Sequence, residues 1–175
     1  IDRVDINERD HFEQDGWTFV ASTARKVTMQ KPKPVGVLFE NQIWCMFKEL
    51  GFTYLNYDEH LKIQWGENDG DHHQIDVVAI GEEAIYVVEC KATENRKAGN
   101  FKKDINDLLN YKEGVTKALK QIYAKDKDKK VKFIFATHNY TFSKESEDLK
   151  RLRDNNIYHL NENSFSYVNS FKFKI

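Results

Sequence analysis

The chain has 175 residues, of which 40% are apolar and 31% charged, and its formal net charge is −1. That size and apolar share suit one ordinary globular domain with a real core, while the near-zero charge gives no global positive field, so any nucleic-acid binding must rest on local basic patches. No apolar run approaches the roughly 20 residues of a membrane span and no charged-then-apolar leader opens the chain, so a cytoplasmic protein without membrane attachment is expected.

Taken in chain order, residues 6–16 suit a short helix and 17–29 an extended, hairpin-like segment. The stretch "QKPKP" at 30–34 interrupts both, because proline donates no backbone hydrogen bond and disfavours helix at the residue before it. This divides the chain into an N-terminal extension, 1–35, and a compact domain, 36–175. From Val37 to Leu50, the residues Phe39, Ile43, Phe47 and Leu50 recur at helical spacing, with Gly51 as the terminator. Strand-like sequence follows at 52–65, then the turn-rich "GENDGD" at 66–71. The segments 73–80, "HQIDVVAI", and 84–91, "AIYVVECK", read as strands joined by a tight "GEE" connection. An amphipathic helix comes next, with Phe101, Ile105, Leu108, Val115, Leu119 and Ile122 on one face. A buried strand at 131–138, a helix at 143–155 with Ser143 as its N-cap, and a short strand at 157–160 complete the order. Cys45 and Cys90 sit in apolar segments without metal-ligand spacing and read as buried thiols rather than a disulfide framework. The chain begins at Ile1 rather than Met, which suggests a domain excised from, or fused within, a larger protein.

Register is the informative feature of the 73–91 hairpin. Any tight closure around Glu82 and Glu83 pairs positions that sum to 165, which sets Asp76 directly opposite Glu89. Cross-strand partners lie about 4.5–5.5 Å apart at Cβ, and like charges there repel. A divalent cation resolves the conflict, because a hard ion such as Mg²⁺ takes one or two carboxylates, keeps several waters and leaves room for substrate phosphate. Lys91 is two residues beyond Glu89 and so shares its strand face. Glu40, on the first long helix one turn before Trp44, can look toward the same place.

These stretches, "LFENQIWCMFKELGF", "QIDVVAI" and "VVECKA", resemble the PD-(D/E)xK, or restriction-endonuclease-like, nuclease superfamily. The resemblance implies an α/β fold with an αβββαβ core and a central mixed sheet flanked by helices. By the same resemblance Asp76 and Glu89 would bind the metal, the Cys90 backbone carbonyl would add an oxygen, Lys91 would position or activate the attacking water, and Glu40 would be an accessory acid. The implied activity is Mg²⁺-dependent DNA cleavage, with Mn²⁺ able to substitute. The pattern departs from the family in two places: Ile75 stands where a proline often precedes the acid, and the following helix carries Asp107 and Tyr111 where one branch has Gln-x-x-x-Tyr. The overall look is also similar to nuclease-like domains of larger bacterial DNA-modification or phage-defence proteins.

For DNA, Gln74 and His73, as water-mediated or substrate contacts, and the basic stretch "RKAGNFKK" at 96–103, with Lys102 and Lys103, are the expected contacts, whereas the lysine-rich 117–132 reads as a solvated helix face and loop. A homodimer would be a natural way to cut both strands. A zinc site of His72, Asp76 and His138 is conceivable, since residues 72, 74 and 76 would share a strand face, but its spacing matches no strong zinc pattern. From another functional class, the competing reading is a nuclease-derived module that binds DNA or protein without cutting.

Overall fold

Residues 1–52, 54–57 and 61–164 are described by a computed structural model, in which the chain divides into two units, Ile1–Pro34 and Val35–Ile175. The first unit contains β1 (Asp2–Asp5), α1 (Arg9–Gln14), β2 (Thr18–Ser22) and β3 (Lys26–Gln30). Strand β3 pairs antiparallel with β1 on one side and β2 on the other, so the extended 17–29 segment is a hairpin. Asp5 and Glu8 form a capping box over the turn that leads into α1.

The second unit holds α2 (Val35–Glu49), β4 (Tyr54–Leu55), β5 (Lys62–Gln64), β6 (His72–Gln74), β7 (Val77–Ile80), β8 (Ala84–Ala98), α3 (Lys102–Ile122), β9 (Lys130–Thr141), α4 (Glu147–Asp154) and β10 (Ile157–Leu160). Its main sheet runs in the order β10-β9-β8-β7-β4. Strands β8, β9 and β10 are parallel, while β7 and β4 are antiparallel additions, so the fold is the expected mixed α/β sheet flanked by helices. Among the described residues no helix is long and apolar enough to cross a membrane.

Strand alternation sorts the core into two layers. Ile85 and Val87 of β8, with Phe133 and Phe135 of β9, face Ile105, Leu108, Val115 and Leu119 of α3. Val88 and Cys90, with Val77, Ala79 and Ala136, face Phe39, Ile43 and Phe47 of α2. A second, two-stranded sheet of β5 and β6 packs against α3, where a Cβ on Gly114 would come within 2.5 Å of the Trp65 indole. The helix tolerates a glycine there because only a bare backbone lets that indole lie against it.

Several local expectations need correction. The predicted strand 73–80 is broken: β6 belongs to the small sheet and β7 to the main one, with Ile75 and Asp76 at the junction. Cys45 is exposed, because it lies two residues, about 200° of helical turn, from Ile43 and so points away from the buried stripe. Leu50 falls beyond the end of α2, where Gly51 at φ 91° turns the chain, and is 39% exposed. Ile122, in the last turn of α3, is exposed, while Tyr111 and Ala118 carry the buried stripe instead. The N-cap of α4 is Ser146, whose hydroxyl accepts from the Leu149 amide, rather than Ser143.

Candidate functional site

The site begins at the residue just before β7. Val77 pairs with Val88, Val78 with Val87 and Ile80 with Ile85, so the register expected from the sequence holds, and one more step sets Asp76 against Glu89. Strand pairing ends at Val77, and beyond it the Asp76 carboxylate accepts the Cys90 N–H at 2.7 Å. In an antiparallel ladder a residue's N–H and C=O point to the same edge, so the Cys90 carbonyl also faces the Asp76 side.

Asn56 fixes this junction. Its amide donates to the Asp76 carbonyl at 3.1 Å, its side-chain oxygen accepts the Val78 N–H at 2.9 Å, and its own N–H donates to the Val78 carbonyl at 3.0 Å. The Trp44 indole of α2 donates to the Asn56 carbonyl at 2.8 Å, tying the helix to the same point. Asn56 is 7% exposed, which makes these bonds costly to lose.

Glu89 and Lys91 project from β8 toward α3. The Lys91 ammonium lies 3.1 Å from Glu89 Oε1 and 3.0 Å from Asp104 Oδ1. Tyr111 donates its hydroxyl to Glu89 Oε2 at 2.9 Å, and His73 Nε2 lies 3.6 Å from that same oxygen. The His73 ring stacks on Tyr111, with centroids 3.7 Å apart. Asp104, Leu108 and Tyr111 fall at i, i+4 and i+7 of α3, so one helix stripe delivers a carboxylate to Lys91 and a phenol to Glu89.

The electrostatics separate the two facing acids. Burial first, then the charges of Glu89 and Glu40, push the Asp76 carboxyl up to about 7 against the opposing Cys90 N–H and Lys91. Burial also works to raise Glu89, but His73, Lys91 and Tyr111 outweigh it and hold this carboxyl below the usual range. For Lys91, burial disfavours the charge, and Glu89 and Asp104 more than reverse that, so the amine stays protonated. Burial and the nearby carboxylates push the Tyr111 phenol up, keeping it a donor, and burial with Asp76 and Glu40 does the same to the Cys90 thiol. A raised thiol is a poor nucleophile, and its side chain packs on the α2 face.

Glu40, Asp76, Glu89 and Lys91 are therefore brought into one electrostatic group. Gln74 lies exposed in β6 opposite Lys62, and Lys102 and Lys103 are exposed in the first turn of α3 beside Asp104. His72 is exposed on the small sheet, while His138 stacks on Phe39 and pairs with Glu162 at 3.3 Å. Among the described residues no three His, Cys, Asp or Glu side chains gather as metal ligands. The donor set that is present, two opposed carboxylates with a backbone carbonyl at the same edge, suits a hard ion that keeps most of its own waters.

Sequence reasoning missed Asp104, Tyr111 and Asn56 as parts of this cluster, and it took His73 as a substrate contact rather than as a partner of Glu89. The i, i+4, i+7 spacing of Asp104, Leu108 and Tyr111 was the available signal for two of them. His73 and Asn56 arrive through a separate hairpin and a short edge strand, which no linear spacing encodes.

A family model described as NERD, nuclease-related domain, matches residues 36–137. Among solved structures, the crystal structure of a protein of unknown function, AF1548, is similar with a TM-score of 0.52 and 18% identity, covering 71% of this chain and 57% of that one. The chain thus spans little more than half the length of that structure, and the likeness concerns the fold. No curated protein matches the chain.

Proposed function

Because the chain belongs to the nuclease-related domain family, matched over residues 36–137 of its 175, we propose that it is a metal-dependent phosphodiesterase acting on DNA. The observation that carries this reading is the placement of Asp76 opposite Glu89, with the Cys90 N–H on Asp76 and the Lys91 ammonium on Glu89. Two partly buried acids in this register repel, and burial first, then the charge of Glu89, raises the Asp76 carboxyl, so a cation between them would favour both ionised forms.

Asp76, Glu89 and the Cys90 carbonyl would hold Mg²⁺, or Mn²⁺ in its place, with Glu40 adding negative potential from α2. Bound there, such an ion would supply Lewis-acid charge to the phosphate. In the net step the oxygen of water bonds to phosphorus, the P–O ester bond breaks, and the proton that the water loses passes through solvent to the departing oxygen. Lys91, held protonated, acts in this scheme as a fixed positive donor to a phosphate oxygen rather than as a base. Gln74, Lys102 and Lys103 would contact the DNA, and the domain would serve within a larger DNA-modification or phage-defence protein.

Calorimetric titration of Mg²⁺ into the wild-type and Asp76→Ala proteins tests the metal site. The reading expects one binding event that is lost or strongly weakened in the variant. A module that only binds DNA has no use for such a site, and equal titrations would favour it.

A further inference from the structure

We propose that Asp104 is a positioning residue for Lys91, keeping the amine in the site when Glu89 turns its oxygens to the ion; this rests on the reading of Asp76 and Glu89 as ligands. Both Glu89 oxygens are engaged, Oε1 by Lys91 and Oε2 by Tyr111. An ion that draws on Oε1 meets the Lys91 ammonium 3.1 Å from that oxygen, and two cations cannot share it cheaply. Lys91 must then give up Glu89. Its four-carbon stem is flexible and its side chain is 31% exposed, so with no second acceptor the amine would swing to solvent.

Asp104 is that second acceptor, already 3.0 Å away. A lysine has three donors and no acceptor, so the amine can stay on Asp104 and still reach a phosphate oxygen. The carboxylate stands in the first turn of α3, where negative charge is favoured by the helix dipole. The backbone there is immobilised by the next residue, Ile105, and by Leu108, both buried against the sheet. The same stripe places Tyr111 on Glu89, so α3 holds both members of the Glu-x-Lys pair from one rigid element.

The competing account is an ordinary partly exposed ion pair that contributes little. A double-mutant cycle separates them. Asp104→Ala and Asp104→Asn are made in the wild-type and Lys91→Ala proteins, and each is assayed for DNA cleavage, DNA affinity and Mg²⁺ affinity by calorimetry. Asp104→Ala should lower kcat about 10- to 100-fold while moving DNA affinity less than about threefold, and Asp104→Asn, which keeps an acceptor oxygen, should recover part of the loss. Mg²⁺ affinity should fall about 3- to 10-fold in Asp104→Ala, because Lys91 is then left to compete for Glu89 alone. Neither effect should appear in the Lys91→Ala background. An unchanged kcat in both Asp104 variants, or equal losses with and without Lys91, overturns the proposal. Wild-type protein that neither binds Mg²⁺ nor cleaves overturns the ligand reading and this inference with it.

Discussion

The two charged residues of "ECK" point the same way from one strand, yet they should fail differently when removed. Lys91→Ala should leave Mg²⁺ and DNA binding largely intact and lower cleavage by about two orders of magnitude or more, the scale of losing one preorganised donor. Glu89→Ala should weaken metal binding as well, and excess metal should restore part of its rate. Titration and cleavage measured on the same preparations check both; equal loss of metal affinity in the two variants would contradict the division of roles. Asp76 gives a separate, pH-dependent expectation. Its folded carboxyl sits at about 7, above the ordinary 3.8, so the folded state binds the extra proton and stability falls as pH rises through that window. In chelator, Asp76→Asn should therefore be more stable than wild type at pH 8, by about 1–4 kcal/mol at most, and the gain should fade toward pH 4. Urea denaturation at several pH values measures this, and a gain independent of pH would assign it to something other than ionisation.

At the scale of elements, the site depends on where strands stop. The β7–β8 register is legible in the sequence because a tight turn around Glu82 and Glu83 leaves only one pairing sum, and one step beyond the paired Val77 and Val88 that sum sets Asp76 opposite Glu89. The break between β6 and β7 was not legible, because "HQIDVVAI" has no glycine or proline to mark a change of sheet. Helix faces were readable for the interior of α2 and α3, and failed at the ends, where Leu50 and Ile122 keep the helical spacing but lie outside the core. The edge strand β4 is too short to announce itself, so Asn56 was invisible as the residue that pins the start of β7. Asn56→Ala should cost about 1–3 kcal/mol through the buried groups it leaves unpaired. It should also slow cleavage by loosening Asp76, and a stability loss with an unchanged rate would separate the clamp from the site. Gly114→Ala should destabilise too, although alanine is the better helix former by about 1 kcal/mol, because the new methyl meets Trp65. A higher melting temperature in that variant would show that the indole can move aside.

For the whole molecule, the near-neutral charge makes local placement decisive. Lys102 and Lys103 sit exposed two residues and one residue before Asp104, so the same helix end that holds Lys91 presents two cations outward. Neutralising both to Gln should weaken DNA binding and make the slope of log affinity against log salt shallower by about two, one counterion per lysine. An unchanged slope would remove this turn from the binding surface. The most direct test of the nuclease reading is incubation of supercoiled circular DNA with the wild-type and Lys91→Ala proteins in Mg²⁺, beside a chelator control. The account predicts nicked or linear product from wild type with Mg²⁺, none with chelator, and at least about a hundredfold slower cleavage by Lys91→Ala. Intact DNA after prolonged incubation of wild type with Mg²⁺ or Mn²⁺, or equal rates for the two proteins, would contradict it.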